Sequence, residues 1–323
     1  MAARLHRHQS SLEGIIDFCK AGPIFENDQQ RSQAVSKFHR IVAFYENTEQ
    51  QPASSRYGDG YNRPALIRLT FEYARSPESQ DKFLEAFFQS LALEMLDDND
   101  GEDASVRELF FGFADYLVHH FFLPLRAATG KTPQPTPTYH IAVHAWALRG
   151  TCLTRDRHRC VITRAFDTAV RTERSRQPPA KDDDGNILDP RDAYGHLEVA
   201  YILPFGLTKA DEGSGLSESK KAAIAILNMF DVGVIHLIEG IDIDRPRNAI
   251  TLSLDMTLFL YPSIDPPSER LLGLHSAIGH ILYLSGAGEY INVILKNMED
   301  GVVREDGSTQ LGALVNAALL IRG

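Results

Sequence analysis

LEVAYILPFGL, residues 197 to 207, decides how the chain is read. An apolar run that stops at Pro204 predicts a strand, because proline cannot donate to an inner ladder. Upstream, RCVITRAFD (159 to 167) is short, β-branched and apolar, and predicts an earlier strand followed by a turn. The stretch between them, RTERSRQPPAKDDDGNILDPRDAYG, is polar, charged and proline-bearing, which predicts a long excursion or hairpin insertion. Downstream, NMFDVGVIHLIEGIDI reads as buried helix or strand, and NAITLSLDMTLFLY (248 to 261) as a turn running into a helix. HIAVHAWALRGTCLTRD, ahead of the first strand, predicts a helix with Trp146 and Leu148 in the core.

Away from this centre the chain is helical in pattern. LEGIIDFCK, AVSKFHRIVAFYENTEQ, KFLEAFFQSLALEML and SVRELFFGFADYLVHHFF repeat apolar residues at three- and four-residue spacing. PASSRYGDGYNRPA and LDDNDGEDAS are turn-rich and predict loops. GKTPQPTPT, residues 130 to 138, carries three prolines in nine positions and predicts a linker. The tail, SAIGHILYLSGAGEYINVILKNMED and then STQLGALVNAALLI, is helical again. The expected organisation is a helical region over 1–129, the linker at 130–138, and a domain over 139–323 that ends in helices.

Composition narrows the function. With 323 residues and 43% hydrophobic content the chain can bury a core. No apolar run reaches membrane length and the start MAARLHRHQS lacks a secretory apolar region, so the expectation is an intracellular protein, cytoplasmic or nuclear and not secreted. Cys19, Cys152 and Cys160 form no C-x-x-C pair, which fits a reduced compartment without structural zinc. A net charge of -10 opposes bulk binding to nucleic acid. Between Arg149 and Arg176, however, eight arginines face Asp156, Asp167 and Glu173, a local net of about +5 that has the form of a phosphate footprint or of an ion-paired surface.

Three pieces stand in a telling order: RDRHRCVITRAFD (155 to 167), LEVAYILPFGL (197 to 207) and RNAITLSLDMTLF (247 to 259). Together they resemble the HNH nuclease domain in the form found in filamentous fungi, over about residues 145 to 300. HHFFLPLRA and the linker are similar to the same lineage. The resemblance implies an α+β fold, mainly helical, with a small ββα core flanked by N- and C-terminal helices. It also implies one divalent metal, a histidine in the second motif as general base, an asparagine that fixes the loop orienting that base, and a metal-binding histidine on the helix. Phosphodiester cleavage calls for such groups, since an imidazole near pKa ~6.5 takes the proton of water while a cation stabilises charge on the phosphate.

Both histidines are missing here. Tyr201 stands at the base position, and a phenol near pKa ~10 is a poor base at neutral pH. Thr257 stands at the helix ligand position, flanked by Met256 and Leu258, and a neutral hydroxyl binds metal far more weakly than imidazole. Asn248 is kept, with Glu198, Pro204 and Phe259 as scaffold. Asp255 could supply a carboxylate if the helix starts late, and His196 lies too far along the strand from Tyr201 to replace it. Glu198, three residues before Tyr201, points to the other side of an unbulged strand. His119, His120, His275 and His280 read as packing or surface, and Cys160 as core.

The pattern leaves three readings open. The leading one is a protein that has left nuclease chemistry and become a cofactor-independent enzyme, of cyclase, isomerase or lyase type, on a small organic substrate in fungal secondary metabolism. Its catalytic candidates are Tyr201, Asn248, Asp255 and Glu198, with a pocket of Met256, Thr257, Leu258 and Phe259 and no metal or other cofactor. The second is a non-catalytic pseudo-nuclease that binds nucleic acid, through Arg155, Arg157, Arg159 and Arg164, or a protein partner. The third is an active endonuclease with altered ligands.

Overall fold

A computed structural model describes residues 23–48, 60–97, 104–129, 139–203, 218–238, 245–253 and 267–299. Within them the protein is mainly helical with two small sheets, an α+β composition. The chain divides into two compact units, one of Met1–Ala128, Gly206–Ile235 and Leu274–Gly323, the other of Thr129–Phe205 and His236–Gly273. One boundary between the units lies beside residue 129, and the C-terminal segments group with the N-terminal helices.

The first unit holds α1 (Asp28–Thr48), α2 (Arg63–Glu72), α3 (Pro77–Leu91), α4 (Ala104–Leu117), a π-helical turn (Val118–Phe122) and α5 (Leu123–Thr129). Phenylalanines make its core: Phe38, Phe83, Phe87, Phe110, Phe113, Phe121 and Phe122 are each at most 1% exposed. Phe38 meets Phe87 edge-on at 5.0 Å between ring centroids, an arrangement the ring quadrupole favours. Phe230 enters the same core, stacked on Phe121 at 5.3 Å, and this ties residues after 205 to the N-terminal helices.

Local chemistry sets the helix ends. Asn62 accepts the Ala65 N–H at 2.9 Å and Pro64 sits in the first turn of α2, while Ser76 accepts the Ser79 N–H at 3.1 Å with Pro77 opening α3. The periodicity of KFLEAFFQSLALEML carries a helix past Leu91, yet α3 stops there. Ala92 adopts φ 53°, and Leu93 N–H donates to Phe88 O at 3.0 Å, a left-handed cap. The buried Lys37 then takes Glu94 O at 2.7 Å and pairs with Asp97, contacts a continued helix would not offer.

In the second unit, α6 (Tyr139–Arg155) packs on an antiparallel pair, β3 (Leu197–Tyr201) and β4 (Ala249–Ser253). Their register runs without interruption from Leu197 opposite Ser253 to Tyr201 opposite Ala249. The strand expected over 159–167 is mostly a tight turn: Cys160 N–H donates to Ala165 O at 2.9 Å and Arg164 N–H to Cys160 O at 3.1 Å. Only β1 (Phe166–Asp167) is extended, and it pairs in parallel with β2 (Tyr194–Gly195). NAITLS, expected as a turn entering a helix, is strand β4 after a single 3-10 turn at Pro246–Asn248.

The excursion after β1 begins with α7 (Thr168–Arg174), capped by the Asp167 carboxylate at Ala169 N–H (2.8 Å) and Val170 N–H (3.1 Å). It then makes a loop in which Asp182 accepts from Asp184 N–H (2.9 Å) and Asn186 N–H (2.8 Å). Lys181 bridges Ile187 in antiparallel fashion, so the excursion does contain the small hairpin that its composition suggested. Further along, α8 (Glu218–Phe230) belongs to the first unit, as does α10 (Ala287–Glu299), and the division between units falls within α9 (Glu269–Leu284). No helix among the described residues is long and apolar enough to cross a membrane.

Candidate functional site

The end of the β3–β4 pair is where the sequence places the site, and it is held by Asn248. Ile202 N–H donates to Asn248 O at 2.8 Å. The side chain continues the contact: its Oδ1 accepts Leu203 N–H at 3.0 Å and its Nδ2 donates to Leu203 O at 3.0 Å. Asn248 is fully buried, so both ends of its amide serve the chain's own backbone.

Arg155 holds the other side of this turn. Its guanidinium forks onto both oxygens of Asp156 at 2.7 Å and 2.7 Å, and its remaining amine donates to Pro246 O (2.7 Å) and Ala249 O (2.9 Å). Both residues of the pair are 0% exposed. This corrects the reading of Arg155 as a nucleic-acid contact: it is spent on the turn that carries Asn248 and is closed to solvent.

Tyr201 is half-buried at the end of β3. With Val199 it packs against Leu148, Cys152 and Ala249, an apolar cluster between α6 and the strand pair. Burial in that cluster pushes the Cys152 thiol up to about 11, with the charges of Arg155 and Asp156 acting in opposite senses beside it. Glu198 is exposed opposite Leu252, and the unbroken register puts it on the face away from Tyr201, so the two form no dyad. Asp255, Met256, Thr257, Leu258 and Phe259 lie outside the described residues, as do Pro204, the 130–138 segment, LEGIIDFCK and STQLGALVNAALLI. Trp146 lies on α6 with its side chain outside the description, and Leu148 is buried as expected.

Cys160 is fully buried beside Leu153 and Leu197. Its sulfur accepts the N–H groups of Ile162 (3.3 Å) and Thr163 (3.1 Å), and Thr163 Oγ1 meets Ser253 Oγ at 2.5 Å. Burial acts to raise this thiol, but hydrogen bonds from Ser253, Thr163 and Ile162 outweigh it and hold the group below its ordinary value. The contacts fasten the turn to β4, together with Val161 N–H donating to Thr251 O at 2.8 Å.

The basic stretch meets an acidic one in the excursion that follows it. Asp182 pairs with Arg159 at 3.0 Å, Asp183 with Arg174 at 2.6 Å and with His158 Nδ1 at 2.8 Å, and Asp184 with Arg157. Arg149 donates to Leu197 O at 2.8 Å, and the Arg171 guanidinium lies 3.9 Å above the Tyr194 ring. Arg164 has left-handed φ 57°, and burial with the neighbouring charges of Arg159 and Arg157 holds its guanidinium below its ordinary value. The signal for this lay in the sequence as KDDDGN, which begins five residues beyond the basic window.

The residues present do not fit the divalent ion that the HNH resemblance implies. A phenol stands for one imidazole, a hydroxyl between Met256 and Leu258 for the other, and the Asn248 amide is committed to Leu203. No group of three or more histidine, cysteine or acidic side chains is gathered to hold a metal among the described residues. Compared with known proteins, the chain matches no family model, no curated protein and no solved structure.

Proposed function

We propose that the β3–β4 end of the second unit is an HNH-like core that has left metal-dependent cleavage and acts on a small organic molecule without a cofactor. The observation that carries this is the environment of Tyr201: a half-buried phenol at the base position, packed against Leu148, Cys152 and Ala249. Such a phenol is a hydrogen-bond donor and a general acid at neutral pH, and it suits a cyclisation, isomerisation or elimination in an apolar site. The Asn248 amide is in this reading a positioning group, since it fixes Leu203 just beyond Tyr201. The fungal resemblance alone suggests secondary metabolism as the setting.

The small-molecule reading is preferred to nucleic-acid binding because Arg155, Arg157 and Arg159 are engaged within the unit. A protein partner for a non-catalytic form, and a nuclease rebuilt around Asp255, stand as the alternatives. The deciding experiment pairs calorimetric titration of Mg²⁺, Mn²⁺, Zn²⁺ and Ni²⁺ with a plasmid-nicking assay. The expected result is neither binding nor nicking, with Tyr201→Phe altering the thermal shift that small aromatic ligands give. Micromolar metal binding with nicking that Asp255→Ala abolishes would overturn the proposal.

A further inference from the structure

Away from Tyr201, the second unit contains an open cleft of about 560 Å³ between α7 and the segment leading to Lys181. Its walls come from His158, Glu173, Gln177 and Lys181, with Val170 and Pro179 as apolar surface. A volume in this range suits a small molecule.

The polar groups are arranged with complementary roles. His158 Nδ1 is tied to Asp183 Oδ2 at 2.8 Å, and Arg174 holds the same carboxylate at 2.6 Å. These hydrogen bonds outweigh burial and keep Asp183 below the usual carboxylate range, so it remains an acceptor. A neutral imidazole that donates from Nδ1 presents Nε2 as an acceptor, and that nitrogen has no partner among the described residues. Glu173 and Lys181 are both exposed cleft residues of opposite charge, and neither side chain has an ion-pair partner among the described residues. Gln177 adds an amide donor.

The walls are also held in place. His158 N–H donates to Leu153 O at 2.7 Å, which fixes the left-handed exit from α6 where Arg157 has φ 55° and His158 φ 51°. The Asp182–Asp184 loop is fastened to that exit by the ion pairs of Asp182 with Arg159 and Asp184 with Arg157, and by the hydrogen bond between His158 Nδ1 and Asp183. The backbone of this wall is therefore set before a ligand arrives, and the ordering that binding requires falls on the exposed side chains of Glu173, Gln177 and Lys181.

We propose that this cleft is a ligand site for a small zwitterion of amino-acid type. Glu173 and His158 Nε2 accept from its ammonium, Lys181 and Gln177 donate to its carboxylate, and Val170 and Pro179 take an apolar side chain. The site is separate from the one around Tyr201.

The test is calorimetry on the full chain with L-leucine, and with its two halves, 3-methylbutylamine and 4-methylpentanoate. L-Leucine should bind saturably, with each half about tenfold weaker or more, since each lacks one charge-assisted contact. Lys181→Ala and Glu173→Gln, both at exposed positions, should each weaken L-leucine about tenfold, and Tyr201→Phe should leave it unchanged. Absence of saturation at millimolar L-leucine would overturn the site. Equal binding of 4-methylpentanoate, insensitive to Glu173→Gln, would overturn the zwitterion. Long-range ¹H–¹⁵N spectra give an independent check: His158 should carry its proton on Nδ1, and a proton on Nε2 would refute the acceptor role.

Discussion

Replacing Arg155 by methionine isolates what the buried ion pair does. The substitution keeps an unbranched apolar stem and removes four hydrogen bonds, two to Asp156 and one each to Pro246 O and Ala249 O. Asp156 is 0% exposed and would be left as an uncompensated buried charge, a change that costs about 3 to 5 kcal/mol. The two carbonyls lose a buried donor as well, at about 1 to 3 kcal/mol each where no water reaches them. Against a total stability of about 5 to 15 kcal/mol this is enough to unfold a marginal unit. The double variant Arg155→Met, Asp156→Leu removes the stranded charge but not the lost carbonyl contacts, so it should recover roughly half of the loss. Urea unfolding followed by fluorescence is a direct assay, because the chain's one tryptophan, Trp146, lies on α6 in the same unit. A loss below about 1 kcal/mol in the single variant, or a double variant no more stable than the single, would refute the role given to the pair. If Arg155 instead touches phosphate, the single variant should lower the salt slope of any DNA binding and leave stability intact.

Three further outcomes are expected. Asn248→Asp removes the donor to Leu203 O and buries a charge, so the same unfolding transition should lose about 2 kcal/mol or more, while a change under about 0.5 kcal/mol would show that the amide contacts carry no weight. Asp167→Ala removes the cap of α7 and should cost about 1 kcal/mol, measurable by thermal unfolding; an unchanged midpoint would refute the cap. His120, held down to about 4 by burial and then by the charge of His119, is neutral in the folded state and protonates more readily when unfolded. The unfolded chain thus binds the extra proton between about pH 6.5 and pH 4, so stability falls as pH drops through that window, by about 3 kcal/mol at most, and His120→Gln should flatten the profile measured by urea unfolding against pH.

What the sequence disclosed followed from how local each determinant is. Helix α6 and strand β3 were legible because an apolar pattern over one segment sufficed. The end of α3 was not, since Lys37, some 57 residues away, takes the Glu94 carbonyl and a left-handed Ala92 stops a helix that periodicity would prolong. β4 was misjudged for a related reason: AITLS becomes a strand only by pairing with residues 197–201, a partner about 50 residues distant. At the candidate site, the Asn248 position was readable while its contacts were not. Of the two readings of the basic stretch, the ion-paired surface is the one the contacts match, and its partners, Asp182, Asp183 and Asp184, return to it through space from beyond the window over which charge was summed. The His158 cleft escaped notice because its lining, His158 and residues 170–181, becomes a wall only when the excursion folds back onto the end of α6.

The Asn248 side chain deserves to be thought of as backbone. Donating to one carbonyl and accepting from the N–H of the same residue, it imitates a peptide unit and adds one more rung to the β3–β4 ladder after the chain itself has turned away. Aspartate has the shape without the donor, and glutamine has both functions at the wrong reach. An asparagine in this position is therefore demanded by the architecture whatever reaction occurs nearby. The amide thus records how the strand pair ends and nothing about what the strand pair does.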